Sequence, residues 1–236
     1  MKMDRRALLK LQRAKAVWRS FQPESTLSVG RIRTDAFTFT SKQPLGAGVQ
    51  VGCDVTGFTV GDASCSLAVR MALYDERVGT LRSTAVGADE TALAFLSFDV
   101  LAASSMMNGE EMPDYPVMHS KGSAAEFAPL VDDYSRRMDR IWKFMGGWSV
   151  PGLERLAIWA IRNREQGGTM WTGLGLVCAA FVYGERELAH AVLDECRSEW
   201  ERRVRLEPRE LVFQIHDKVR GDIERLLEAM RARAVH

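Results

Sequence analysis

Apolar positions change their period twice along this chain. Through residues 4–21 they recur at Ala7, Leu11, Ala14, Trp18 and Phe21, the stride of one buried stripe on an amphipathic helix, and Pro23 ends it. The period then becomes two. Phe37 and Phe39 alternate with Thr38 and Thr40; Val49, Val51, Cys53 and Val55 alternate with Gln50, Gly52 and Asp54. Further on, Cys65, Leu67, Val69, Met71 and Leu73 oppose Ser66 and Arg70. Alternation of this kind predicts half-buried strands, and short turns such as VGDAS favour antiparallel hairpins. The segment LAFLSFDVL, 93–101, is apolar at both parities. That predicts a central strand covered on both faces, although a short buried helix satisfies the same pattern.

From residue 102 to 122 the pattern lapses into AASSMMNGEEMPDYPVMHSKG, with two prolines and two glycines, which reads as a long loop. Beyond it the helical period returns. Phe127, Val131, Tyr134, Met138, Ile141 and Met145 mark one helix, and GGWSVP breaks it. A second runs from Pro151 to about Gln166, with Leu153, Leu156 and Ala160 inward. A third carries Met170, Leu174, Val177 and Phe181, and Gly184 ends it as a left-handed cap. A fourth holds Ala189, Leu193, Cys196 and Trp200; a fifth opens at Pro208 and buries Val212, Ile215, Val219, Ile223, Leu226 and Met230.

The expected fold is therefore α+β. An N-terminal helix and an antiparallel sheet of about four strands occupy 1–101, the loop follows at 102–122, and about five helices fill 123–236. The helical part is expected to pack on the sheet as one globular unit. The stretch Phe181 to Cys196 has no second copy at solenoid spacing, so it is a lone hairpin rather than a repeat.

Composition narrows the classes. A net charge of +1 leaves no overall field to draw nucleic acid or an anionic membrane. Cys53, Cys65, Cys178 and Cys196 form no CxxC pair and sit among apolar residues, so a reducing, cytoplasmic setting is expected. The opening DRRALLKLQRAK is too charged for an export signal, and the longest apolar run, LGLVCAAFVY, is too short to span a membrane. Charge is uneven, however. Seven basic residues crowd the first twenty positions, while 99–133 holds seven acidic residues against one lysine.

Candidate chemistry is sparse. The glycines of PLGAGVQVG are followed by a strand pattern rather than a helix, so they read as a hairpin turn and not a phosphate loop. No two of His119, His190, His216 and His236 stand at helical zinc spacing, HExxH is absent, and no G-x-S-x-G elbow is present. No catalytic residue, metal ligand or cofactor site is expected. The one histidine in a chemical setting is His119, in the long loop with Asp114, Tyr115 and Ser120.

The turn Gly184-Glu185-Arg186-Glu187-Leu188-Ala189, between two helices in AAFVYGERELAHAVLDECRSEW, resembles the helical ends of bacterial immunity-protein families of contact-dependent toxin systems. That resemblance implies a small cytoplasmic antidote that occludes its cognate toxin, with no common catalytic set. The leading expectation is thus a protein-binding module whose acidic loop residues Glu110, Glu111, Asp114, Tyr115 and His119 meet a basic partner surface. The alternative is an enzyme or small-ligand protein. Its site would lie between the polar sheet face (Thr38, Gln50, Asp54, Arg70) and the 102–122 loop.

Overall fold

The computed structural model describes residues 31–34, 38–61, 64–87, 89, 91–119, 124–163, 169–170, 174–206 and 210–234. The helix expected at 4–21 lies outside the described residues. In chain order the elements are β1 (Arg31–Thr34), β2 (Thr38–Gly46), β3 (Val49–Gly61), β4 (Ser64–Asp75), α1 (Glu76–Val86), β5 (Leu96–Asp99), α2 (Val100–Met107) and β6 (Val117–His119). There follow α3 (Ala124–Met145), α4 (Val150–Arg162), β7 (Thr169–Met170), α5 (Leu174–Val182), α6 (Arg186–Leu206) and α7 (Glu210–Ala234). The α+β class holds.

Among the described residues the strands form one antiparallel sheet, ordered β1-β2-β3-β4-β5-β7, with β6 on the other half of β4. The three strands expected from alternation are present as β2 to β4, the doubly apolar segment supplies β5, and three short strands extend them. The β2–β3 hairpin turns on two residues, Ala47 (φ 49) and Gly48 (φ 73), both left-handed as a type I′ turn demands. Gly48 also lies against Glu76. A Cβ there would lie 2.7 Å from Glu76 Oε2, and the Glu76 backbone N–H donates to the Gly48 carbonyl at 3.2 Å. The PLGAGVQVG glycines thus make a hairpin, as the following strand pattern implied.

Register explains which face is buried. Val51 pairs with Leu73 and Leu73 with Leu96; Cys53 pairs with Met71 and Met71 with Phe98. All six are buried, and they join one core with α1, α2, α3, α4, α5 and α7 residues such as Leu81, Leu101, Met138, Leu156, Leu176 and Leu226. Removing each such side chain from water stabilises the fold by roughly 1.5–3 kcal/mol. Sheet and helices therefore share one core. On the opposite face Gln50 pairs with Tyr74, Gly52 with Ala72, and Asp54 with Arg70, which in turn faces Asp99.

Two helices are additional to the five expected. The segment ERVGTLRSTAV is α1, with Asp75 as its cap and Val78, Leu81 and Ala85 buried. The second, α2, takes the end of the doubly apolar segment. Only Leu96–Asp99 is strand; from Val100 the chain is helical, with Val100 to Ser105 all buried. This corrects the extent of the expected 102–122 loop, because residues up to Met107 are helix and Val117–His119 is strand, leaving 108–116 irregular. Met170 also belongs to β7 rather than to the third C-terminal helix, and β7 pairs with β5.

The remaining helices follow the apolar stripes. Gly184 (φ 85) ends α5, and the Glu185 N–H reaches back to the Ala180 carbonyl at 2.9 Å, a left-handed cap. Between α3 and α4 the Ser149 hydroxyl accepts from the Gly152 N–H at 3.2 Å. Gly152 has no room for a side chain, since a Cβ would sit 2.7 Å from the Met145 carbonyl oxygen.

Candidate functional site

Both strand-to-helix junctions in the first half use an aspartate. Asp75 ends β4 and accepts from the Arg77 N–H at 2.8 Å; Asp99 ends β5 and accepts from the Leu101 N–H at 2.8 Å. An extended residue with a short carboxylate satisfies the first free N–H groups of a helix, so each aspartate starts one. Each also receives a tyrosine hydroxyl. Tyr183 donates to Asp75 Oδ2 at 3.1 Å, and Tyr115 donates to Asp99 Oδ2 at 2.9 Å. Asp75 is further held by Arg77, whose guanidinium stands 2.7 Å away and also reaches Glu154 at 2.8 Å.

The Asp99–Tyr115 bond matters for function because Tyr115 lies in segment 108–116. Burial raises the Asp99 pKa above the ordinary carboxylate value; the Tyr115 hydroxyl, the Leu101 and Ala102 N–H groups and the Arg70 charge each pull it back. Burial and the neighbouring Asp99 charge push the Tyr115 phenol up to about 12, so it stays a donor. Beneath them Tyr134 is fully buried, and burial together with Asp99 raises its pKa as well. Arg137 closes the cluster, donating to the Ser104 and Ser105 hydroxyls at 3.1 Å and to Asp133 at 2.7 Å.

Segment 108–116 is held at both ends. The Glu110 N–H donates to the Ser105 carbonyl at 2.9 Å, the Asn108 side chain donates to Glu110 Oε1 at 3.0 Å, and Arg140 stands 3.5 Å from Glu110 Oε2. Tyr115 is seated on Asp99, and β6 then pairs Val117 with Ser66 and His119 with Ser64. What the segment turns outward is mixed. Glu111 and Asp114 are exposed, Met112 is 45% exposed and Val117 58%. Met112 and Val117 are two of the three exposed large apolar residues among the described ones, Leu93 being the third.

The expected site residues therefore divide by role. Glu111 and Asp114 face outward, Glu110 is exposed but partly spent on Asn108 and Arg140, and Tyr115 is an inward anchor. His119 lies at the far end of β6, opposite Ser64. Sequence reasoning missed Asp99 and Arg137, although Asp99 immediately before an apolar run is a legible helix-cap signal.

A cavity of about 190 Å³ opens at the hairpin end of the polar sheet face, lined by Gly48, Gln50, Tyr74, Glu76, Thr91 and Ala92. No group of three or more His, Cys, Asp or Glu side chains among the described residues could hold a metal ion. No described helix is long and apolar enough to cross a membrane. No family model, curated protein or solved structure matches the chain.

Proposed function

We propose that the protein is a protein-binding module whose braced segment 108–117 docks a basic patch of its partner. The observation that carries this reading is the pairing of an inward anchor with an outward apolar and acidic surface. Tyr115 holds the segment to Asp99 at 2.9 Å while Glu111, Met112, Asp114 and Val117 stay exposed. A loop ordered before binding loses little conformational freedom on docking, and an apolar centre rimmed by charge is the composition of recognition surfaces. The partner is a protein with a basic surface. An immunity protein that neutralises a cognate toxin by occlusion, the class which the Gly184–Ala189 turn resembles, uses such a surface and needs no reactive centre of its own.

The test is affinity capture from the native host at physiological salt, with wild type and a Glu111→Lys/Asp114→Lys double variant side by side. A stoichiometric protein companion of wild type, with slower and less salt-dependent association of the variant, supports the reading. Equal association rates and equal salt dependence for the two overturn it.

A further inference from the structure

The cavity on the polar sheet face is distinct from segment 108–116 and has a chemistry of its own. Gln50 and Tyr74 are register partners on β3 and β4, so their side chains stand side by side on one wall. Glu76, the first residue of α1, packs against Gly48 at the hairpin turn, and Thr91 and Ala92 come from the connection before β5. Glu76 enters no ion pair among the described residues. The adjacent cation, Arg77, is committed to Asp75 and Glu154 and so does not neutralise it.

The lining is biased toward acceptors. Thr91 has one hydroxyl proton and gives it to Asp89 Oδ1 at 2.6 Å, which leaves only lone pairs for the cavity. The Glu76 carboxylate is acceptor-only. Tyr74 contributes an aromatic wall, and burial followed by the Asp54 charge raises its phenol pKa, so the ring stays neutral. Among the described residues no lysine or arginine lines the cavity. An acceptor-rich, negatively charged hollow beside an aromatic ring suits a cation that carries its own N–H donors. A hard divalent ion would want six or more oxygen ligands, and no set of three acidic, His or Cys groups is assembled among the described residues. The volume, about 190 Å³, holds an ammonium head and a short alkyl stem.

We propose that this cavity binds a primary alkylammonium group, with Glu76 as its counter-ion, Thr91 and Gln50 as hydrogen-bond acceptors and Tyr74 as its aromatic wall. The group can belong to a free small amine or to a lysine side chain, and the two are separable by experiment.

The experiment is a titration of the full-length protein with n-butylammonium chloride and with Nα-acetyl-lysine amide, followed by the backbone amide resonances of Gly48, Gln50, Thr91 and Ala92. Sodium butyrate, n-butanol and magnesium chloride are run in parallel. Saturable shifts with either amine, weakened about tenfold in Glu76→Gln, support the site, that ratio corresponding to about 1.4 kcal/mol. Tighter binding of n-butylammonium assigns a free amine, and tighter binding of the lysine amide a protein lysine. Equal or stronger shifts with butyrate, butanol or magnesium, or no saturable shift with the amines, overturn it. Glu76 is exposed, so the variant is expected to keep its fold, and an unchanged melting temperature verifies that.

Discussion

Tyr183 at the end of α5 donates its hydroxyl to Asp75, 108 positions earlier, at the junction of β4 and α1. The same tyrosine packs edge-on against Phe95 at 6.1 Å and lies under the Arg77 guanidinium at 5.6 Å. One carboxylate thereby starts a helix, holds an arginine and clasps a helix from the other half of the chain. Asp75 is 2% exposed, so water cannot replace any of these partners.

Asp75→Ala removes the cap and strands the Tyr183 hydroxyl. The expected loss is roughly 2–4 kcal/mol from those two effects together. Asp75→Asn keeps a good capping side chain and is expected to lose distinctly less. Urea unfolding of the two variants measures the difference, and equal losses would refute the capping role.

Tyr115→Phe takes one donor from a buried carboxylate and unfastens segment 108–116. We expect a stability cost of about 1–3 kcal/mol. Amide exchange should also accelerate from residue 109 to 115 while α3 keeps its protection. Exchange that speeds up everywhere alike would mean the bond is not a local fastening.

Asp99 carries a pH signature. Its folded-state pKa is raised above the ordinary 3.8, so the folded protein holds this proton more tightly than the unfolded chain does. Its contribution to stability is therefore full below that ordinary value and is lost as pH rises through the raised one. Asp99→Asn cannot titrate and still caps α2. The stability of wild type minus that of the variant should fall as pH rises from the ordinary value upward; a flat or rising difference contradicts the burial argument.

Gly152→Ala drives a methyl group to 2.7 Å from the Met145 carbonyl oxygen and 2.8 Å from that of Gly147. Both contacts are backbone, so the α3–α4 turn must move, at a cost of about 1–3 kcal/mol. Thermal unfolding reads it directly. The opposite effect is expected at the hairpin, where Ala47 holds a φ of 49 that asparagine tolerates better. Ala47→Asn should raise stability by up to ~1 kcal/mol.

Much of this architecture could be read from spacing. The period-two runs became β2, β3 and β4, with Val49, Val51, Cys53, Val69, Met71 and Leu73 buried as expected, and Met138, Leu156 and Leu226 of the helical stripes lie in the core. Gly184 ends its helix with the left-handed turn it was expected to make. What escaped was local punctuation inside apolar text. Asp75 and Asp99 each convert a strand into a helix within one residue, and a period search over longer windows averages such a switch away. The exposed acidic residues of the site were visible as composition. The role of Tyr115 was not, because its partner is fixed by the sheet register and the fold of α2, which no count of charges contains.

The two-residue strand β7 has a consequence for synthesis. It covers Ser97 and Phe98 of β5, yet it comes after α3 and α4 in the chain. Among the described residues, a nascent chain that has emerged only as far as Arg162 leaves Ser97 and Phe98 without a strand partner on that side, the kind of edge on which neighbouring chains aggregate. That edge is covered only once the ribosome has delivered Thr169 and Met170.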